Sequence, residues 1–458
     1  MRGEGWGVKA SSNAIRKKEI RRTITMAFPS AAQKKPTASW LPHQLTWDQL
    51  KANAEALVPV FAARAAETEN LRHVPKENMA DLYHAGLLSV VVPKRYGGLE
   101  MDWPALPEVA RIIARGCPST AWIVAVVGGH GAIVGRMPQY LQDELFAAGP
   151  NQLFVTASAQ TTGTITKTKG GVIVNGIWRF ASGCDHADWI MVNGELLNED
   201  GSKSNRPNVR IITKAENVTV VDTWFVAGMK GTGSKDLQFT NLFVPDDHVL
   251  DSQPNFGAGP AGAAVNPDCY LYDVPFTPYF SSWLLGPILG AAEGAYETYR
   301  ANTQGRVGSM VQYASTVAQM PTVQERLAES YCELEAARAL YDKHNKFLHE
   351  RGAARLNIAV DEFIDSGRER SYIARLCYNL VQRLVKQMGA VGIYDTNPVQ
   401  RFARDLSVMQ NQLAVNWDVH MLNFGRRQFG LPTGMDRLDN PPPDKPAWGL
   451  LNGKVKAP

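Results

Sequence analysis

The chain has 458 residues, 45% of them apolar, with 48 basic and 44 acidic side chains and a net charge of +4. That supplies a large core spread over roughly two to four domains or subdomains, and 20% charged residues exclude long disorder or a collagen-like fibre. Seven basic residues against Glu4 and Glu19 precede Ala27, so the body is close to neutral and no nucleic-acid partner is expected. No apolar run reaches the roughly 20 residues of a membrane span, so no membrane partner is expected either.

Residues 1–36 read as a basic, disordered or artefactual extension, with Met26 a natural start and a transit peptide the other reading. From 37 to 150 the apolar period is helical. Thr46-Trp47-Asp48-Gln49 has the form of a capping box, Pro75 begins a helix that Gly86 ends, and another starts near Pro104. Ser119 to Val134 is apolar enough to be buried on all sides. Between 151 and 262 short β-branched and aromatic runs alternate with Gly, Asn and Asp, which predicts an antiparallel sandwich or barrel. The predicted strands are Leu153 to Ala157, Val172 to Phe180, Trp189 to Asn193, Val209 to Thr213, Val218 to Val221 and Leu237 to Val244. From 263 to 431 long amphipathic stretches such as Pro321 to Glu350 and Asp361 to Met388 predict an antiparallel bundle, and 432–458 an extended tail. The fold class is therefore mainly α with a central β domain. Five cysteines without CxxC fit reduced thiols and a cytoplasmic location. No acid and His cluster has metal spacing, and His344 and His349 read as solvated.

The run Trp178-Arg179-Phe180-Ala181-Ser182-Gly183 places a hydroxyl between an apolar strand and a Gly turn. Trp178 and Phe180 alternate on one face and would wall a ring system, although the same pattern serves as sandwich core. Trp122 and His130, eight residues apart on one apolar helix, can share a face.

These residues, with Arg115-Gly116-Cys117-Pro118-Ser119-Thr120-Ala121, Asp222-Thr223-Trp224, Gly228 to Ser234 and Asn397 to Arg401, follow the order of the acyl-CoA dehydrogenase fold. The chain resembles its two-component (group D) flavin-dependent monooxygenases over about residues 40 to 430. That branch includes p-hydroxyphenylacetate hydroxylase oxygenase components, a steroid-ring hydroxylase and dibenzothiophene monooxygenase. The resemblance implies an N-terminal helical domain, a β domain, a four-helix bundle and a homotetramer. It also implies an enzyme that takes reduced flavin, usually reduced FMN with FADH2 possible, from a separate NAD(P)H flavin reductase. Through a C4a-hydroperoxyflavin formed with O2 it would hydroxylate a small aromatic or heteroaromatic substrate.

Within the resemblance, Ser182 matches a hydroxyl near flavin N5 and Ser158 a second hydroxyl near the ring or the substrate. Trp122 and Trp178 border the flavin, and His130 the substrate. Arg306 matches an arginine reaching the flavin phosphate of a neighbouring subunit, with a surface ion pair as its plainer reading, and the Gly389 to Tyr394 turn borders the flavin. The Gly228 to Ser234 loop is a tight β connection framing the site. Eight residues beyond Asp405, where the dehydrogenases carry a catalytic Glu, stands Leu413, which cannot take a proton. Seven beyond, where many of the monooxygenases carry His, stands Gln412, a hydrogen-bonding group but no base, with Asn411 and His420 as neighbours. The rival functions are an FAD-containing acyl-CoA dehydrogenase-like oxidoreductase and a non-catalytic helical scaffold.

Overall fold

A computed structural model describes residues 45–157, 162–206, 208–252, 256–307, 316–433 and 435. The helical first part opens with α1 (Trp47–Ala63), where the Thr46 side chain accepts from Gln49 N and the Gln49 side chain from Thr46 N, completing the predicted box. There follow α2 (Ala65–Leu71), α3 (Lys76–His84), α4 (Ala105–Ala114), α5 (Pro118–Gly135) and α6 (Gln139–Leu145). Pro118 sits at the start of α5, where its missing N–H costs nothing. By length and composition α5 could cross a membrane, yet 89% of it is buried inside the protein, so it is a core helix. Its glycines let other elements approach closely; a Cβ at Gly129 would collide with the Trp283 ring.

The β domain has two layers, a four-stranded sheet in the order β1-β4-β6-β9 and a five-stranded sheet in the order β5-β2-β3-β8-β7. The predicted strands correspond to β1 (Phe154–Ala157), β3 (Gly171–Ala181), β4 (Trp189–Gly194), β6 (Val209–Lys214), β7 (Thr219–Val221) and β8 (Lys235–Pro245). The others are β2 (Thr164–Thr168), rich in Thr and Lys, and β5 (Leu196–Leu197) and β9 (Val249–Asp251), too short to show a period. The antiparallel expectation needs correction, because β1 pairs β4 and β2 pairs β5 in parallel. The β2–β3 hairpin belongs to the other sheet, so β4 re-enters the first sheet in the direction of β1.

Trp178 is also corrected. It is fully buried between the layers, its Nε1 donates to Asn193 O on β4 at 2.9 Å, and its ring meets Phe239 edge-on at 4.9 Å. Phe180 instead is exposed at φ 64, because a bulge between Trp178 and Ala181 breaks the alternation that would have put both rings on one face.

After α7 (Thr277–Phe280) come α8 (Leu285–Gln304), α9 (Pro321–Ala353), α10 (Val360–Met388), α11 (Pro398–Met409) and α12 (Trp417–Gln428). Leu285, Ile288, Leu289, Leu334, Ala337, Tyr341, Leu380 and Leu384 belong to the second core, which α8, α9, α10 and α11 share. Buried Glu293 on α8 binds Arg111 of α4 at 2.6 Å and Arg338 of α9 at 2.7 Å, locking the bundle to the first part. His344, expected to be solvated, is fully buried. It lies on the buried stripe Leu334, Ala337, Tyr341, Leu348 of α9, with Nε2 2.9 Å from Ser282 Oγ and Nδ1 3.4 Å from Glu369 Oε2. Its helical phase, rather than its chemistry, decides that position.

Replacing Trp178 by Ala should cost about 3–5 kcal/mol of stability, as for other large core residues. Denaturant unfolding checks this; a variant of unchanged stability that had only lost flavin affinity would restore the ring-wall role.

Candidate active site

α5 carries Trp122 and His130, which face the end of β3 and the start of β1 respectively. Gly183, at φ 75, turns the chain after β3, and its N–H donates to Thr232 O. That pins the β3 end to the Gly228–Ser234 loop. The loop in turn packs on α11: a Cβ at Gly228 would meet Arg404 O, and Asp405 Oδ1 accepts from Met229 N at 2.5 Å. The sequence-predicted framing loop is therefore where the β domain touches the bundle.

In this corner Trp122 Nε1 donates to Ser182 Oγ at 3.3 Å, and Ser182 Oγ lies 2.7 Å from Ser234 Oγ. Ser234 is itself 2.7 Å from Thr232 Oγ1. Trp122 packs against both cores and, like Ser182, is half-buried, so the pair stands at the seam between the first core and the bundle. No charged side chain hydrogen-bonds to it among the described residues.

His130 is 1% exposed. Nδ1 donates to Phe154 O at 2.5 Å and Nε2 accepts from Thr156 Oγ1 at 3.1 Å, with the Trp283 ring edge-on at 5.9 Å. Burial drives its pKa down to about 4, so the ring is neutral near pH 7. The half-buried Thr156 hydroxyl, not the imidazole, is the more open end of this pair.

The other expected residues lie apart. Ser158 falls outside the described residues. Gln412 caps its own turn: its side-chain oxygen accepts from Ala414 N at 2.5 Å and closes the turn Leu413–Val415. His420 Nε2 donates to Leu413 O at 2.9 Å and holds the same turn, while Asn411 donates to Ser407 O. Leu413 is 69% exposed at the tip. Arg306 makes no ion pair among the described residues; it donates to Met388 O at 3.2 Å and Gln387 O at 3.5 Å, capping the α10 carbonyls. This brings Arg306 to the Gly389–Tyr394 turn, where Val391, Ile393 and Tyr394 are exposed, and no hydrogen bond links that turn to Ser182. Sequence reasoning missed Thr156, Trp283, Ser234 and Thr232. The alternating hydroxyls of Gly231-Thr232-Gly233-Ser234 were the one available signal for the last two.

Residues 43–139 match the acyl-CoA dehydrogenase N-terminal domain and 282–417 the acyl-CoA dehydrogenase C-terminal domain. A pigment production hydroxylase of Rhodococcus sp. is 30% identical over 390 residues, covering 85% of this chain and 98% of that protein. The chain belongs to the flavin-dependent monooxygenases of the acyl-CoA dehydrogenase fold. The p-hydroxyphenylacetate 3-hydroxylase oxygenase component of Acinetobacter baumannii is 28% identical, covering 82% of this chain and 88% of that one. The HsaA monooxygenase structure from M. tuberculosis superposes with a TM-score of 0.77 at 27% identity, covering 85% and 99%.

In this monooxygenase the contact between loop and bundle carries a titrating group. Burial raises the Asp405 carboxyl from 3.8 to about 7, and Glu69 nearby adds to the rise. An acid whose folded pKa lies above its unfolded one binds more protons when folded, so stability falls as pH rises from 3.8 through about 7. Asp405→Asn keeps an acceptor for Met229 N and removes the titration. The stability difference, wild type minus variant, should decline steadily across that window when measured by urea unfolding; a flat difference would show that Asp405 titrates normally.

Proposed function

We propose that the chain is the oxygenase component of a two-component monooxygenase, taking reduced flavin from a separate NAD(P)H flavin reductase and, with O2, hydroxylating a small aromatic or heteroaromatic compound. The observation that carries this is the Trp122–Ser182 pair, an indole edge and a hydroxyl held together at the seam of β domain and bundle. A flat ring with a polar edge fits such an uncharged, directional pair better than an anionic or metal ligand does. Bound reduced flavin supplies the two electrons that activate O2. The protein's part is to hold the ring and keep water out.

In this reading Ser182 faces the flavin N5 and Trp122 walls the ring. His130, neutral and fixed with its proton on Nδ1, orients the Thr156 hydroxyl through its Nε2 lone pair, and Thr156 meets the substrate. No base is placed at Gln412, so the substrate is an electron-rich ring or heteroatom that reacts without one. Leu413, a hydrocarbon where a dehydrogenase needs a carboxylate, argues against the acyl-CoA reading. Reduced FMN is the expected flavin and FADH2 the competing form. The FADH2-dependent resorcinol hydroxylase of Rhizobium sp., at 27% identity, keeps that competition open. The exposed apolar turn Val391, Ile393, Tyr394 beside Arg306 supports a homotetramer in which Arg306 reaches the flavin phosphate of a neighbouring subunit and this turn borders the flavin. Five free cysteines support a cytoplasmic setting.

The test gives the protein reduced FMN or reduced FAD under 18O2 with a panel of phenols and indoles; one labelled oxygen atom per product is expected. Tightly retained FAD that an acyl-CoA reduces would sink the reading. Ser182→Ala should leave the melting temperature in place while raising hydrogen peroxide release per product several-fold, measured by peroxide assay. Unchanged coupling would remove Ser182 from the site.

A further inference from the structure

Beside Ser182, five groups stand in a line joined by four contacts. Trp122 Nε1 lies 3.3 Å from Ser182 Oγ, Ser182 Oγ 2.7 Å from Ser234 Oγ, Ser234 Oγ 2.7 Å from Thr232 Oγ1, and Thr232 Oγ1 2.9 Å from Met229 O. The indole and the three hydroxyls bring one proton each, and the Met229 carbonyl at the far end can only accept. One assignment alone makes all four contacts hydrogen bonds: Trp122 donates to Ser182, Ser182 to Ser234, Ser234 to Thr232, and Thr232 to Met229. Reversing either hydroxyl–hydroxyl bond leaves two oxygens in contact with no proton between them. Ser234 is 4% and Thr232 2% exposed, so bulk water does not make up the loss.

We infer that Thr232 and Ser234 are positioning residues that turn the Ser182 hydroxyl proton inward, so that Ser182 presents only a lone pair and the site binds reduced flavin in preference to oxidised flavin. This rests on the reading that Ser182 faces the flavin N5. Reduced flavin carries an N–H there and donates to the lone pair. Oxidised flavin carries a bare lone pair, which meets another lone pair. The selection thus depends on two residues that never touch the ring.

The experiment measures dissociation constants of oxidised FMN and, without oxygen, of reduced FMN, with no turnover required. Thr232→Val keeps the side-chain shape but removes the acceptor for the Ser234 proton. That proton then goes to Ser182, whose own turns outward. Ser234→Ala frees the Ser182 proton directly and reports the same change should the valine variant not fold. In both variants the ratio of oxidised to reduced dissociation constants should fall about tenfold, chiefly through tighter oxidised FMN. Thr232→Ser should keep the wild-type ratio. If neither variant moves the ratio but Ser182→Ala does, the relay is overturned and Ser182 keeps its place beside N5. If all three leave it unchanged, both readings fall.

Discussion

The structure depends on burying α5 from every side. A helix with so little polar surface is stable only if other elements close around it, and here the first helices, the β domain, the aromatic segment before α8 and the bundle all do so. Because α5 is the common neighbour, Trp122 near its start and His130 two turns later fall where the domains meet. Its glycines serve the same closure: where a side chain would stand, Trp283 or another element packs instead.

Charge acts at the joints, and no charged side chain hydrogen-bonds to the Trp122–Ser182 pair among the described residues. Glu69 on α2 gathers Arg401 and Arg404 of α11 and Lys230 of the Gly228–Ser234 loop. Burial would raise its carboxyl, but the hydrogen bonds from the two arginines hold it at about 2. Glu293 does the same between α8, α4 and α9. A half-buried carboxylate sharing several cations fixes the angle between elements more firmly than one exposed pair would. The corner around Ser182 is built instead from hydroxyls and an indole, whose hydrogen bonds have direction without net charge.

Much of this was legible in the chain. The α1 capping box, the bounds of α9 and α10, six of the strands and the order of helical, β and helical parts follow from local period and turn chemistry, which act within a few residues. Leu413 could be excluded as a base from its side chain alone. Errors arose where one residue changes the phase of everything after it. The bulge at Arg179 and Phe180 sent Trp178 inward and Phe180 outward, and the α9 stripe buried His344. Gln412 was judged by its distance from Asp405, whereas its side chain closes its own turn.

The sequence by itself determined the fold and the family, because composition, period and motif order survive without knowledge of contacts. Only the tertiary structure decided which hydroxyls meet. Thr232 and Ser234 lie 50 and 52 residues beyond Ser182, and no local rule relates them. They come together because the β3 end and the loop before β8 are neighbours in space, and a proton's direction is set by the groups at both ends of its hydrogen bond.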